Sequence, residues 1–128
     1  MPTMSIFRNE PSVTFAAGES IVRSGEIGGV MYAVLEGSVS LIVAGKIVET
    51  VTEGGIFGEM ALIDHAERSA DAEAVTDVRL VSIDEKRFLY LVSNTPFFAL
   101  EVMRVLADRL RRMDRLAFNG QTRPGESS

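Results

Sequence analysis

In the stretch GGIFGEMALIDHAERSA, residues 54–70, Glu59 and Arg68 stand among glycines, small residues and a short apolar run. Arg68 offers a planar fork that can give two parallel hydrogen bonds to phosphate oxygens. GEMALI, following the double glycine, has the pattern of a first helical turn. Its free backbone N–H groups and positive dipole end also favour an anion. Gly58 lets the backbone approach closely. A carboxylate beside a bound phosphate is repulsive unless a hydrogen-bond donor lies between them, and a ribose hydroxyl is such a donor. One arginine and one carboxylate match one negative charge and one free ribose hydroxyl, as in a 3′,5′-cyclic nucleotide. They match a linear monophosphate, with about two charges, less well. The alternative for the same two residues is an ordinary surface ion pair, which is common and contributes little.

Other chemistries are bounded by composition. The 128 residues fit one domain, with apolar residues near half of the total and a formal charge of −5. That charge argues against broad nucleic-acid affinity, so an anionic ligand needs a local cationic site. There is no cysteine and one histidine, which excludes a disulfide scaffold, a thiolate metal site and a cysteine nucleophile. His65 has no partner at metal-ligand spacing and reads as a solvated loop residue. The N-terminus MPTMSIFRNE lacks a signal-peptide pattern and no apolar run approaches membrane-spanning length, so a soluble cytoplasmic protein is expected.

The elements that must position Glu59 and Arg68 are mostly short strands. From Val13 to Ile83, apolar runs are punctuated by glycines at regular spacing. VMYAVLEGSVSLIVAGKIVETV predicts three successive strands turning at Glu36-Gly37 and Ala44-Gly45, and ADAEAVTDVRLVSI predicts two more. Antiparallel strands without long helices between them fit a jelly roll or closed barrel. The period then changes. Asp84 is placed to cap a helix over EKRFLYLVSN, with Phe88, Leu89, Leu91 and Val92 as its apolar face. Thr95-Pro96 starts a second helix running to about Phe118. Ala99, Met103, Leu106, Leu110, Met113 and Ala117 form one apolar stripe on it, suited to packing on the barrel or on a second helix. A second stripe through Phe98, Val102 and Val105 gives way to Arg109 and Arg112. The helix is therefore expected to dock at its start and project at its end. Arg104, Arg109, Arg111, Arg112 and Arg115 read as a solvated face, and NGQTRPGESS as a polar, disordered tail.

FGEMAL followed by RSA resembles the phosphate-binding cassette of the cyclic nucleotide-binding domain family, found in catabolite-activator-type regulators, cyclic nucleotide-dependent kinases and cyclic nucleotide-regulated channels. FAAGESIVRSGE, MYAVLEGSVSL, the cassette, AVTDVRLVSID and the closing helices all fall in the family's order, from roughly Val13 to Met113. The resemblance implies a mainly β domain over 1–118, an eight-stranded antiparallel jelly-roll barrel followed by two C-terminal helices, with 119–128 as tail. It implies that Arg68 binds the cyclic phosphate and Glu59 takes the ribose 2′-hydroxyl. The backbone near Gly58, Glu59, Met60, Ala61, Ser69 and Ala70 completes the cradle, and Leu41, Val48 and Phe57 line the purine. On the closing helix Arg112 is nearest to the role of capping the base, with Leu110 and Met113 as apolar alternatives.

The expected function is a stand-alone cyclic nucleotide sensor, with cAMP preferred to cGMP, signalling through the last helix to an unknown downstream protein. No helix-turn-helix, kinase or pore segment is recognisable. No catalytic residue, metal or cofactor is expected, since no positioned nucleophile or metal cluster stands out. Partners other than the nucleotide are neither nucleic acid nor membrane, and the chain is expected as a monomer or as a homodimer through the C-terminal helix. The competing reading is a nucleotide-independent interaction or dimerisation module of the same fold.

Overall fold

The computed structural model describes residue 7 and residues 10–64 and 67–120, of which 64, 113 and 115–120 are described by backbone alone. Eight strands come first in the chain: Val13–Phe15 (β1), Ser20–Val22 (β2), Val30–Glu36 (β3), Val39–Val43 (β4), Lys46–Val51 (β5), Ile56–Phe57 (β6), Asp71–Ala74 (β7) and Val78–Asp84 (β8). A short helix, Glu59–Asp64 (α1), interrupts them after β6, and Glu85–Asn94 (α2) and Pro96–Gly120 (α3) close the chain. The strands form two four-stranded antiparallel sheets ordered β1-β8-β3-β6 and β2-β7-β4-β5. This is the expected jelly roll, as two facing sheets. His65 and the tail beyond Gly120 lie outside the described residues.

Why β3 and β8 lack a clean polar alternation is explained by their position. Val34 and Leu80 point into the space between the sheets, packing with Val39, Val51 and Phe57. On the opposite face Met31, Ala33, Val81 and Ile83 pack with Leu91, Phe98 and Val102 of the helices. Both faces of these strands are covered, so both must be apolar. The hairpin between β4 and β5 turns at Ala44 and Gly45, with φ of 51° and 78°, as two-residue hairpins require. A bulge follows: Leu41 pairs with Glu49 but Ile42 with Ile47, leaving Val48 as the extra residue.

The helices begin where their caps place them. The Asp84 carboxylate accepts from the Arg87 N–H at 2.8 Å, and the Thr95 carbonyl accepts from the Phe98 N–H at 2.9 Å. On α2, Leu91 is buried and Phe88 and Val92 pack on the core, whereas Leu89 is exposed. On α3 the docked stripe differs from the longer one expected. Phe98 and Val102 of the shorter stripe are buried and Val105 partly so, joined by Leu106 of the longer one, while Met103 and Leu110 of the longer stripe are 57% and 61% exposed. Phe98 decides the orientation, because its ring lies edge-on between Phe7 and Phe88, with centroids 5.8 and 5.6 Å away.

Candidate functional site

Arg68 is fixed first through its backbone. Its N–H donates to the Glu26 carbonyl at 2.7 Å, and its own carbonyl accepts from the Gly25 N–H at 2.9 Å. The segment carrying it is thus stitched to the turn after β2. The side chain then runs inward, and the residue is only 8% exposed. Nη2 donates to the Val30 carbonyl at 2.9 Å and Nη1 to the Gly58 carbonyl at 3.4 Å, and the guanidinium carbon lies 6.0 Å from the centre of the Tyr32 ring. Among the described residues no carboxylate forms an ion pair with it. A buried cation with no carboxylate partner among the described residues is expensive, and an incoming anion relieves that cost.

Two glycines make room for this guanidinium. Gly58 has φ +82°, and a Cβ there would lie 2.6 Å from Arg68 Nη1. At Gly28 a Cβ would lie 2.5 Å from Nε and 2.7 Å from both the guanidinium carbon and the Ala61 Cβ. The expected cradle residues Gly58, Glu59, Ala61 and Arg68 are therefore brought together, and Gly28 joins them. Its signal in the sequence, the Gly28-Gly29 pair, is shared with any turn. Gly28→Ala is expected to push Arg68 out of place and to weaken anion binding by about 1–3 kcal/mol, the usual cost of overpacking. Titration of the folded variant checks this.

Glu59 opens α1 and is 4% exposed. Its partner is Arg109 on α3 rather than Arg68, so the two residues of the motif do not form the surface ion pair allowed as an alternative. Arg109 also donates from Nε and Nη2 to Glu49 on β5, at 2.9 and 3.1 Å, and from Nη2 to the Ile56 carbonyl at 2.6 Å. Arg112 approaches Glu49 at 3.5 Å. Burial alone raises the Glu49 pKa, but the hydrogen bonds and charge of Arg109, with Arg112 behind them, hold the carboxyl below its usual range. Burial likewise works against the Arg109 charge, and Glu49 and Glu59 together keep its pKa above the ordinary arginine value. At Arg109, with Arg112 beside it, α3 is thus tied across β5, β6 and α1. Arg109, expected on a solvated face, is the residue that ties it.

The other expected contacts are spread more widely. Met60 and Ser69 are exposed and Ala70 is half-buried. Leu41 is half-buried and packs toward the space between the sheets, opposite Glu49. Phe57, by contrast, is 1% exposed and stacked on Tyr32 at 5.2 Å, so it presents no surface to a ligand. Val48, the bulge residue, is 46% exposed. The Met113 side chain lies outside the described residues, and Leu110 is turned outward. Among the described residues no cluster of histidine, cysteine or acidic side chains could hold a metal, and no helix is long and apolar enough to cross a membrane.

The profile of the cyclic nucleotide-binding domain matches residues 12–95, which include the whole cradle. The chain belongs to the cyclic nucleotide-binding domain family. It is 35% identical over 94 residues to the cAMP-dependent protein kinase regulatory subunit of Schizosaccharomyces pombe, covering 73% of this chain and 22% of that protein. To the cyclic AMP receptor protein of Thermus thermophilus it is 34% identical over 105 residues, covering 78% of this chain and 49% of the other. The crystal structure of the Thermus thermophilus catabolite activator protein superposes with a TM-score of 0.75 at 31% identity, over 91% of this chain and 58% of that one. This cyclic nucleotide-binding domain therefore spans about half or less of the curated relatives it matches.

Proposed function

We propose that this domain is a receptor for a 3′,5′-cyclic nucleotide. The observation that carries the reading is Arg68, a buried guanidinium without a carboxylate among the described residues, held in a glycine-lined cradle beside a buried Glu59. Arg68 would take the cyclic phosphate, Glu59 the ribose 2′-hydroxyl, and the backbone N–H groups of 58–61 and 69–70 the remaining phosphate oxygens. Leu41, paired with Glu49 across the sheet, would meet the base, with Arg112, near Glu49, as a further contact. We favour cAMP over cGMP because the relatives named above are cAMP proteins. Ser69 follows the arginine, and its hydroxyl is compatible with either base. Binding is signalled through α3, which touches the site at Glu59, and the nucleotide is released unchanged.

Melting with matched ligands tests this. At about a hundredfold excess over the dissociation constant, cAMP should stabilise the protein by about 2.7 kcal/mol. Linear AMP at equal concentration should give little shift, because its second charge and free hydroxyl find no partners, and cGMP a smaller shift than cAMP. The cAMP should be recovered intact. Equal shifts with AMP, or its formation, would refute a dedicated receptor. The second reading, a nucleotide-independent dimerisation module, is favoured by the exposed Leu100, Met103 and Leu110 of α3. It requires that no nucleotide move the melting point.

A further inference from the structure

Outside the cradle, a cleft of about 300 Å³ lies between the turn that follows β5 and the first half of α3. Ile56, Phe98, Val102 and Val105 give it an apolar floor, and Glu53 on the turn and Glu101 on α3 are its acidic side chains. Both sides are held in place before anything binds. Gly54 donates its N–H to the Val34 carbonyl, Val34 donates back to the Gly55 carbonyl, and Gly55 donates to that of Thr52, each at 2.9 Å. The turn is therefore clamped to β3. On the α3 side, Phe98 is held edge-on by Phe7 and Phe88. Gly54 and Gly55 line the cleft without bringing a side chain to it, so it stays open.

The charge at this cleft has one sign. Among the described residues Glu53 forms no ion pair, and Glu101 forms one, with Arg104 at 2.9 Å one turn further along α3. An i,i+3 pair with its arginine 56% exposed contributes little, so it leaves Glu101 open to a second cation. An apolar floor alone accepts many occupants, and the two carboxylates select among them. The geometry points to a docking site for a segment of a partner protein in which a bulky apolar side chain is flanked by lysine or arginine. The apolar side chain enters the cleft, and the flanking cations meet Glu53 and Glu101. An acidic segment is repelled by the same two residues and by the formal charge of −5 on the whole chain. One anchor in a desolvated pocket can carry most of the energy of such a contact, and walls already fixed spare the cost of ordering them. No residue of the Arg68 cradle lines the cleft, so the inference does not rest on the cyclic-nucleotide reading.

Capped Lys-Lys-X-Lys-Lys peptides, with leucine, phenylalanine or alanine at X, test the site when titrated into the isotopically labelled full chain and followed by amide chemical shifts. The leucine and phenylalanine peptides should shift Thr52 to Ile56 and Phe98 to Val105. They should bind at least about tenfold more tightly than the alanine peptide, as burial of the larger side chain requires. Glu53→Lys should weaken binding by about fivefold or more, and peptides with glutamate in place of lysine should not bind. Val105→Trp, which fills the cleft, should abolish the shifts; should it misfold by circular dichroism, the wild-type and Glu53→Lys titrations decide. No shift at millimolar peptide, equal affinity for the alanine peptide, shifts centred elsewhere, or undiminished binding by Glu53→Lys would each overturn the docking site. Hexylamine giving the same shifts at the same affinity would make the cleft a site for a small amine. The same shifts on raising the protein concentration alone would seat a second copy there. Either result overturns the basic segment as occupant.

Discussion

Arg68→Ala is expected to abolish measurable cAMP binding in a protein that still folds. A phosphate held in the cradle without its cation is an unpaired buried charge, and the loss should be roughly 3–5 kcal/mol, or about two to four decades in affinity. Stability without ligand should stay close to wild type. The guanidinium makes two hydrogen bonds to carbonyls, and their loss destabilises. Yet it is also a buried cation that no described carboxylate neutralises, and removing it relieves a desolvation cost. Opposite signs on the two measurements, binding lost and the melting point nearly kept, would mark Arg68 as a ligand group rather than a structural one. Near-native affinity in the folded variant would remove the cradle assignment. A large drop in ligand-free melting point would instead make Arg68 a structural ion whose anion is part of the protein.

Arg68 and Glu59 were visible in the sequence because the signals that single them out are local: glycine at 58, a helix start at 59, an arginine close behind. The strands were visible for a similar reason, since turn residues and short apolar runs mark their ends. What could not be seen is what depends on pairing across the fold. Glu49 and Arg109 lie 60 positions apart, and nothing near either one announces the other. Signals exist once the register is known. Glu49 occupies the same face of β5 as the buried Val51, an inward position where a charge must have a partner. Arg109 continues the line through Phe98, Val102 and Val105 that docks α3. Gly28 was hidden differently, because a glycine that makes a turn and a glycine that clears space for a distant guanidinium look identical in one dimension. Phe57 was misplaced because an aromatic beside the cassette suits a base platform as well as it suits the core, and its stacking on Tyr32 settles it in the core.

The choice between the two stripes of α3 carries the last large effect. Both are apolar and both have helical spacing, so periodicity alone does not rank them; the site they can reach does. Phe98 meets Phe7 and Phe88 edge-on and is 1% exposed, whereas Met103 is 57% exposed. Phe98→Ala should therefore destabilise the protein by about 3–5 kcal/mol through lost burial and the cavity left behind. Met103→Ala should change stability by less than about 0.5 kcal/mol, as a surface substitution does. Denaturant midpoints of the two variants check the pair, and a larger cost at Met103 would mean that α3 is docked by the other stripe. The consequence reaches the site. Phe98 sets the rotation of α3, and rotation decides whether position 109 faces Glu59 or solvent. A helix turned to bury Met103 would carry Arg109 away from Glu49, Glu59 and Ile56, so the packing of one phenylalanine at the start of α3 holds the arginine that pairs with Glu49 and Glu59.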